Sequence, residues 1–116
     1  MAVTYEQVRA WVLELPGTRE VMVEQWGHPT LRVGDKMIAG GAPGSPTMSV
    51  KATREEQAEL IAGAPGTYAV AEYVGRYGWV RVELATADPA ELRQVVVEAW
   101  RRTAPKRLVK EYDATR

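Results

Sequence analysis

The extended segments of this chain are joined by links too short to contain helices, and this limits the folds open to it more than its composition does. Strand-like alternation runs over residues 19–25, 30–33, 36–38 and 47–51. The interruptions are Gly27-His28-Pro29, Gly34-Asp35 and the glycine- and proline-rich stretch Gly40-Gly41-Ala42-Pro43-Gly44-Ser45-Pro46. Parallel neighbours need a crossover of about a dozen residues or more, usually a helix. The four segments therefore read as antiparallel strands. Gly34-Asp35, between Leu31-Arg32-Val33 and Lys36-Met37-Ile38, has the form of a two-residue hairpin turn, whose twist matches that of paired strands. The alternation of Val21 and Val23 with Glu20, Met22 and Glu24 predicts a strand with its valines on the buried face. The stretch from Gly40 to Pro46 reads as a mobile loop or wing, because glycine and proline oppose regular structure.

Helices flank these strands. Thr4 followed by Gln7 has the capping-box spacing, and Val8, Trp11, Val12 and Leu15 recur on one face, which predicts a helix over residues 5–14. Pro16-Gly17-Thr18 stops it. Thr53 and Glu56 repeat the capping-box spacing ahead of a short helix carrying Ala58, Leu60 and Ile61. Residues 67–74 and 79–84 read as two further strands around Gly75-Arg76-Tyr77-Gly78. Asp88-Pro89-Ala90-Glu91 is the strongest helix start in the chain, and Leu92, Val95, Val96, Ala99, Trp100 and Thr103 then share a face. After Pro105 a short helix places Leu108, Val109 and Tyr112 together. The expectation is a single α+β domain over residues 1–116. It has a mainly antiparallel sheet of about five or six strands with helices on one face.

Composition narrows the function classes. There is no cysteine in the 116 residues, which excludes a disulfide framework, a thiolate metal site and a cysteine nucleophile. A reducing, cytoplasmic setting is the expectation. Apolar runs such as Val95-Val96-Val97 fall far short of the roughly 20 residues that span a bilayer, so no membrane segment is expected. The N-terminus carries no secretory-signal pattern. Fifteen basic and fifteen acidic residues cancel, without the overall positive charge common to nucleic-acid binders. The charge is unevenly spread, however. From Arg101 onward, Arg101, Arg102, Lys106, Arg107, Lys110 and Arg116 outnumber Glu111 and Asp113, which makes the tail a basic patch on a mildly acidic body.

Four segments carry a family resemblance: Leu15-Pro16-Gly17-Thr18, Leu31-Arg32-Val33-Gly34-Asp35-Lys36-Met37, Lys51-Ala52-Thr53-Arg54-Glu55-Glu56 and Gly75-Arg76-Tyr77-Gly78-Trp79-Val80. Their order and spacing resemble the MmcQ/YjbR family over nearly the whole chain. The resemblance implies an α+β domain similar to the frataxin-like (CyaY-like) fold, in the arrangement called double-wing. It also implies DNA binding, the role by which this fold arrangement is commonly described. The loop from Gly40 to Pro46 departs from the common pattern. Frataxin-like folds suggest iron held by an acidic ridge on the first helix, but here that helix offers only Glu6 and Glu14, and no metal or cofactor is expected.

The residues able to carry chemistry are few. In residues 79–84 the pleat separates Val80, Val82 and Leu84 from Trp79, Arg81 and Glu83. An aromatic ring beside a cation suits stacking on a nucleobase or other ring. Lys51 and Arg76 fall at strand ends where short loops could bring them to Trp79, and together they would suit a phosphate or carboxylate. Each also fits a solvated surface cation, as Trp79 also fits a ring tucked under a loop. Lys106 and Arg107 in the tail can contact phosphates or simply solvate a helix. His28, the sole histidine, and Tyr77 mark a candidate pocket. No residue motif accompanies His28 for nucleophilic or metal chemistry, so no catalytic residue is assigned. Three readings stand in order: a DNA-binding module using Lys51, Arg76, Trp79, Arg81, Lys106 and Arg107; a non-catalytic domain of unknown specificity binding a small ligand, for which an anionic molecule is a candidate, or a protein; and an enzyme, resting only on His28 and scattered carboxylates. Oligomeric state is not legible.

Overall fold

The computed structural model describes residues 3–115. Helix α1 (Tyr5–Leu13) begins on a complete capping box: Thr4 Oγ1 accepts from the Gln7 N–H at 3.1 Å, and the Gln7 side chain accepts from the Thr4 N–H at 3.0 Å. This satisfies donors at the start of the helix that would otherwise lack partners. Strands β1 (Thr18–Val23), β2 (His28–Val33), β3 (Lys36–Gly41) and β4 (Thr47–Val50) follow, then α2 (Arg54–Gly63) and β5 (Tyr68–Val70). A 3-10 turn (Gly75–Tyr77), β6 (Val80–Glu83), α3 (Pro89–Thr103) and α4 (Lys106–Ala114) complete the chain. One sheet of six strands results, ordered β1-β2-β3-β4-β6-β5, with every neighbouring pair antiparallel. The expected α+β class is what the chain adopts. The excursion through α2 and β5 lets β6 return beside β4, so β6 is an interior strand.

The core lies on one side of this sheet. Leu31, Ile38, Met48, Val50, Val80 and Val82 meet Val8 and Val12 of α1 and Leu92, Val96 and Trp100 of α3, all fully or almost fully buried. Each large aliphatic side chain so buried contributes about 1.5–3 kcal/mol. Trp100, at the centre, donates its indole N–H to the Pro16 carbonyl at 2.9 Å, so its burial strands no donor. Helix α4 lays Leu108, Val109 and Tyr112 on this same core, with the Tyr112 ring edge-on to Trp100 at 5.1 Å. Helices α1, α3 and α4 thus cover one face.

Several expected details differ. β1 turns its valines the other way: Glu20 pairs with buried Leu31 and so faces the helices, while Val21 and Val23 face outward opposite Thr30 and His28. The cause is α1, which captures the Glu20 carboxylate through the Tyr5 hydroxyl at 2.6 Å and Arg9 Nε at 2.9 Å. β2 starts at His28, because the turn closes early, with the Trp26 and Gly27 N–H groups both donating to the Val23 carbonyl. Pro29 is tolerated since β2 pairs with β3 only from Thr30 onward. β3 runs on through Gly40 and Gly41, which pair with Ser49 and Met48. The loop that remains is short and tied down, with Ser45 N–H donating to the Ala42 carbonyl and Leu84 N–H to that of Pro46. β5 keeps three residues instead of eight, because the chain leaves the sheet after Ala71 donates to the Trp79 carbonyl.

Two stability predictions follow from these contacts. The Tyr5 hydroxyl foremost, and then Arg9, hold the Glu20 carboxyl below the usual carboxylate range. A depressed carboxylate adds stability that is present above its unfolded pKa and is lost as pH falls through its folded one. Glu20→Gln should therefore cost about 1 kcal/mol near neutrality, and the gap to wild type should close in acid. Urea midpoints from pH 7 to pH 3 check this, and a gap independent of pH would contradict it. Gly78 has φ +105°, and a Cβ there would lie 2.6 Å from the Ala52 carbonyl oxygen and 2.8 Å from Arg54 N. Gly78→Ala should cost on the order of 2–4 kcal/mol from backbone strain and overlap, read from the same denaturation curves.

Candidate functional site

The sheet face turned away from α1, α3 and α4 holds the candidate site. Strand pairing sets Thr30, Gly40, Ser49, Arg81 and Ala69 in one row across β2, β3, β4, β6 and β5. Directly opposed residues share a face with Cβ atoms about 4.5–5.5 Å apart. Arg81 therefore rises from a floor of small residues. It is exposed, while its neighbours Val80 and Val82 point into the core. Trp79 lies on the Arg81 side, and both line a cleft of about 610 Å³ with Trp26, His28, Ser49 and Tyr73. Met37, Thr47, Glu72 and the glycines of β3 are also part of the lining. That volume falls in the range of about 300–1,000 Å³ usual for small-molecule sites.

The surroundings fix the cleft walls. Gln57 of α2 donates its carboxamide N–H groups to the carbonyls of Gly75 at 2.8 Å and Trp79 at 2.7 Å, tying the 3-10 turn to the head of β6. Trp79 is 7% exposed, yet its indole N–H has no protein acceptor, and no side-chain polar atom among the described residues is both fully buried and unpartnered. The N–H therefore reaches solvent. On the opposite wall the Trp26 and His28 rings lie 5.9 Å apart. His28 donates from Nδ1 to the Pro29 carbonyl at 3.0 Å, which leaves Nε2 as the ring's free position. Tyr73 adopts φ +63°, uncommon for a residue other than glycine, and the residue is 92% exposed at the cleft edge.

Of the residues singled out in the sequence, Trp79, Arg81 and His28 meet in this cleft, and the others do not. Lys51 reaches toward α3, where Nζ donates to Thr103 Oγ1 at 3.0 Å. Burial, then the charge of Lys36, lowers its pKa. Arg76 stacks its guanidinium over the exposed Tyr77 ring at 4.9 Å, outside the cleft lining. Lys106 and Arg107 are exposed on α4, which packs on the helical side of the sheet. Much of the remaining basic tail is paired: Arg101 holds Asp113 at 2.7 Å and Arg102 holds Glu56 at 2.9 Å. The aromatic face and the basic helix are consequently two surfaces on opposite sides of the molecule.

Trp26, Tyr73 and Ser49 belong to the site without having stood out in the sequence. Trp26 sits next to a Gly-His-Pro break and reads as a turn residue, and Tyr73 reads as part of a longer strand. Ser49 could have been found by carrying the two-residue period of β4 across to β6.

The comparisons agree with the architecture. The chain is 29% identical to an uncharacterized protein of Mycobacterium bovis, over 94% of this chain and 95% of that one. Uncharacterized proteins of two Mycobacterium tuberculosis strains match to the same extent. The crystal structure of Deinococcus radiodurans protein DR2400, with its DUF419 domain, superposes with a TM-score of 0.76. That likeness covers 85% of this chain and 77% of the other at 22% identity, and it speaks for the fold alone. The YjbR family model matches residues 13–102, and the chain belongs to the YjbR family.

Proposed function

We propose that this domain is a binding module that seats a planar group of its ligand in the cleft on the uncovered sheet face. One observation carries the reading: the rings of Trp26, His28, Tyr73 and Trp79 line a single cleft in which Arg81 is flanked by the small residues Gly40, Gly41, Thr47 and Ser49. Rings make walls that stack on a flat ligand, and small floor residues leave it room. Binding without turnover is part of the proposal. The Pro29 carbonyl orients His28 through Nδ1, but among the described residues no hydroxyl or acid is hydrogen-bonded to its Nε2, so no nucleophile is paired with it.

DNA binding, which the family resemblance implies, is the second reading. The exposed base of a single strand could use the same rings, with Arg81 near a phosphate. The paired tail arginines and the placement of Lys106 and Arg107 behind the sheet favour a small ligand over a duplex.

Trp26, which is 54% exposed, offers a clean test because it can be changed without opening the core. A thermal-shift screen of flat heteroaromatic compounds should yield ligands that Trp26→Ala weakens by about 1–3 kcal/mol, the worth of a stacked base. Single-stranded and duplex oligonucleotides are titrated alongside at low and high salt. Oligonucleotide binding that falls steeply with salt, with no small-molecule hit, would replace the first reading by the second. The absence of both would end the proposal for this cleft.

A further inference from the structure

The cleft holds more unspent hydrogen-bond donors than a flat apolar ligand could use. The Arg81 side chain makes no hydrogen bond or ion pair with any described residue. Arg9, Arg19, Arg93, Arg101 and Arg102 are by contrast held in ion pairs. Trp79 presents a second donor, an indole N–H without an acceptor on a ring that is otherwise enclosed. Ser49, opposite Arg81 in the sheet register, offers a hydroxyl with no protein partner. The ring is enclosed while its one polar atom stays open to solvent, so a ligand acceptor can take the place of water there. The cleft's carboxylate, Glu72, comes from the loop ahead of the 3-10 turn and not from the sheet floor.

We infer that the floor of the cleft is an oxyanion seat, in which Arg81, the Trp79 indole N–H and the Ser49 hydroxyl together hold a carboxylate or phosphate carried on a planar ring. This rests on the reading of the cleft as a ligand site and specifies its ligand class. The guanidinium supplies the charge and a planar fork that matches two oxygens of either anion. The indole and hydroxyl donate from β6 and β4, so one anion bridges neighbouring strands. Small residues flank Arg81 on both sides, with Ser49 and Ala69 at the paired positions, and the anion can reach the guanidinium without displacing a side chain. Selectivity follows from charge: a neutral ring of the same shape satisfies the walls and leaves the floor donors unmatched.

Four matched probes separate this inference from the reading beneath it: benzoate, phenyl phosphate, benzamide and benzyl alcohol. Indole and guanidinium N–H signals are followed by nitrogen-15 NMR, with the Trp79 signal assigned from Trp79→Phe. Benzoate or phenyl phosphate should move the Trp79 and Arg81 signals saturably and bind about ten-fold or more tightly than its neutral counterpart, equivalent to about 1.4 kcal/mol. The Trp100 indole, already bonded to Pro16, should stay still. Arg81→Gln should bring the charged probes down to the affinity of the neutral ones, and Lys106→Gln on the opposite side should change nothing. Which of the two anions binds more tightly identifies the headgroup. Equal affinity of charged and neutral probes at the same signals would overturn the oxyanion seat while leaving the cleft as a binding site. No movement at Trp79 with any probe up to its solubility limit would overturn both.

Discussion

Only one face of the six-stranded sheet is covered by α1, α3 and α4, and the pleat of β6 turns that asymmetry into a site. Val80 and Val82 are completely buried against the helices, so the residues between and before them must point the other way. The strand pays for an outward arginine and indole with the burial of its valines. Because β6 is interior, paired with β4 on one side and β5 on the other, its register is fixed by both neighbours. A slip by one residue would bury Arg81 and expose the valines, an exchange that hydrophobic burial forbids.

The second requirement is a rigid wall beside that floor. The segment between β5 and β6 leaves the sheet, and the N-terminus of α2 is what receives it. Gly78 lies so close to the backbone of Ala52 to Arg54 that no side chain fits. Arg54 Nε donates to the Arg76 carbonyl at 2.8 Å, and Gln57 holds the carbonyls on either side of the turn. Four anchors from one helix end thus position Trp79 and set Tyr73 at the rim, so α2, which rests Leu60 and Ile61 on the core, also decides the shape of the cleft.

Much of the fold was legible because its signals are local. Thr4 with Gln7 and Asp88 with Pro89 begin helices where their spacing says, since capping depends on residues within one turn. The second capping box is half made: Thr53 accepts from the Glu56 N–H, but the Glu56 side chain is drawn away to Arg102. A tertiary ion pair overrode a local pattern there. The same thing happened at β1, where the alternation was read correctly and its facing was not, because Tyr5 and Arg9 decide which side Glu20 takes. Strand order was out of reach of periodicity, and so was the grouping of site residues. Trp79 and Arg81 could be placed together from one strand's pleat. Lys51, Arg76 and the tail were grouped with them by sequence position alone, and the fold sends each elsewhere.

The placement of charge completes the picture. Most cations close to acids pair with them, whereas Arg81 makes no ion pair, although Glu83 lies two residues along the same strand face and Glu72 lines the cleft. The chain's lack of cysteine makes the floor directly measurable, since Ser49→Cys would carry its only thiol. The rate at which that thiol reacts with a negatively charged and a positively charged methanethiosulfonate reagent tests the central claim. An open floor beside an unpaired guanidinium predicts rapid modification with a clear preference for the anionic reagent, abolished by Arg81→Gln. A thiol that stays unreactive in the folded protein, or reacts faster with the cationic reagent, would contradict it.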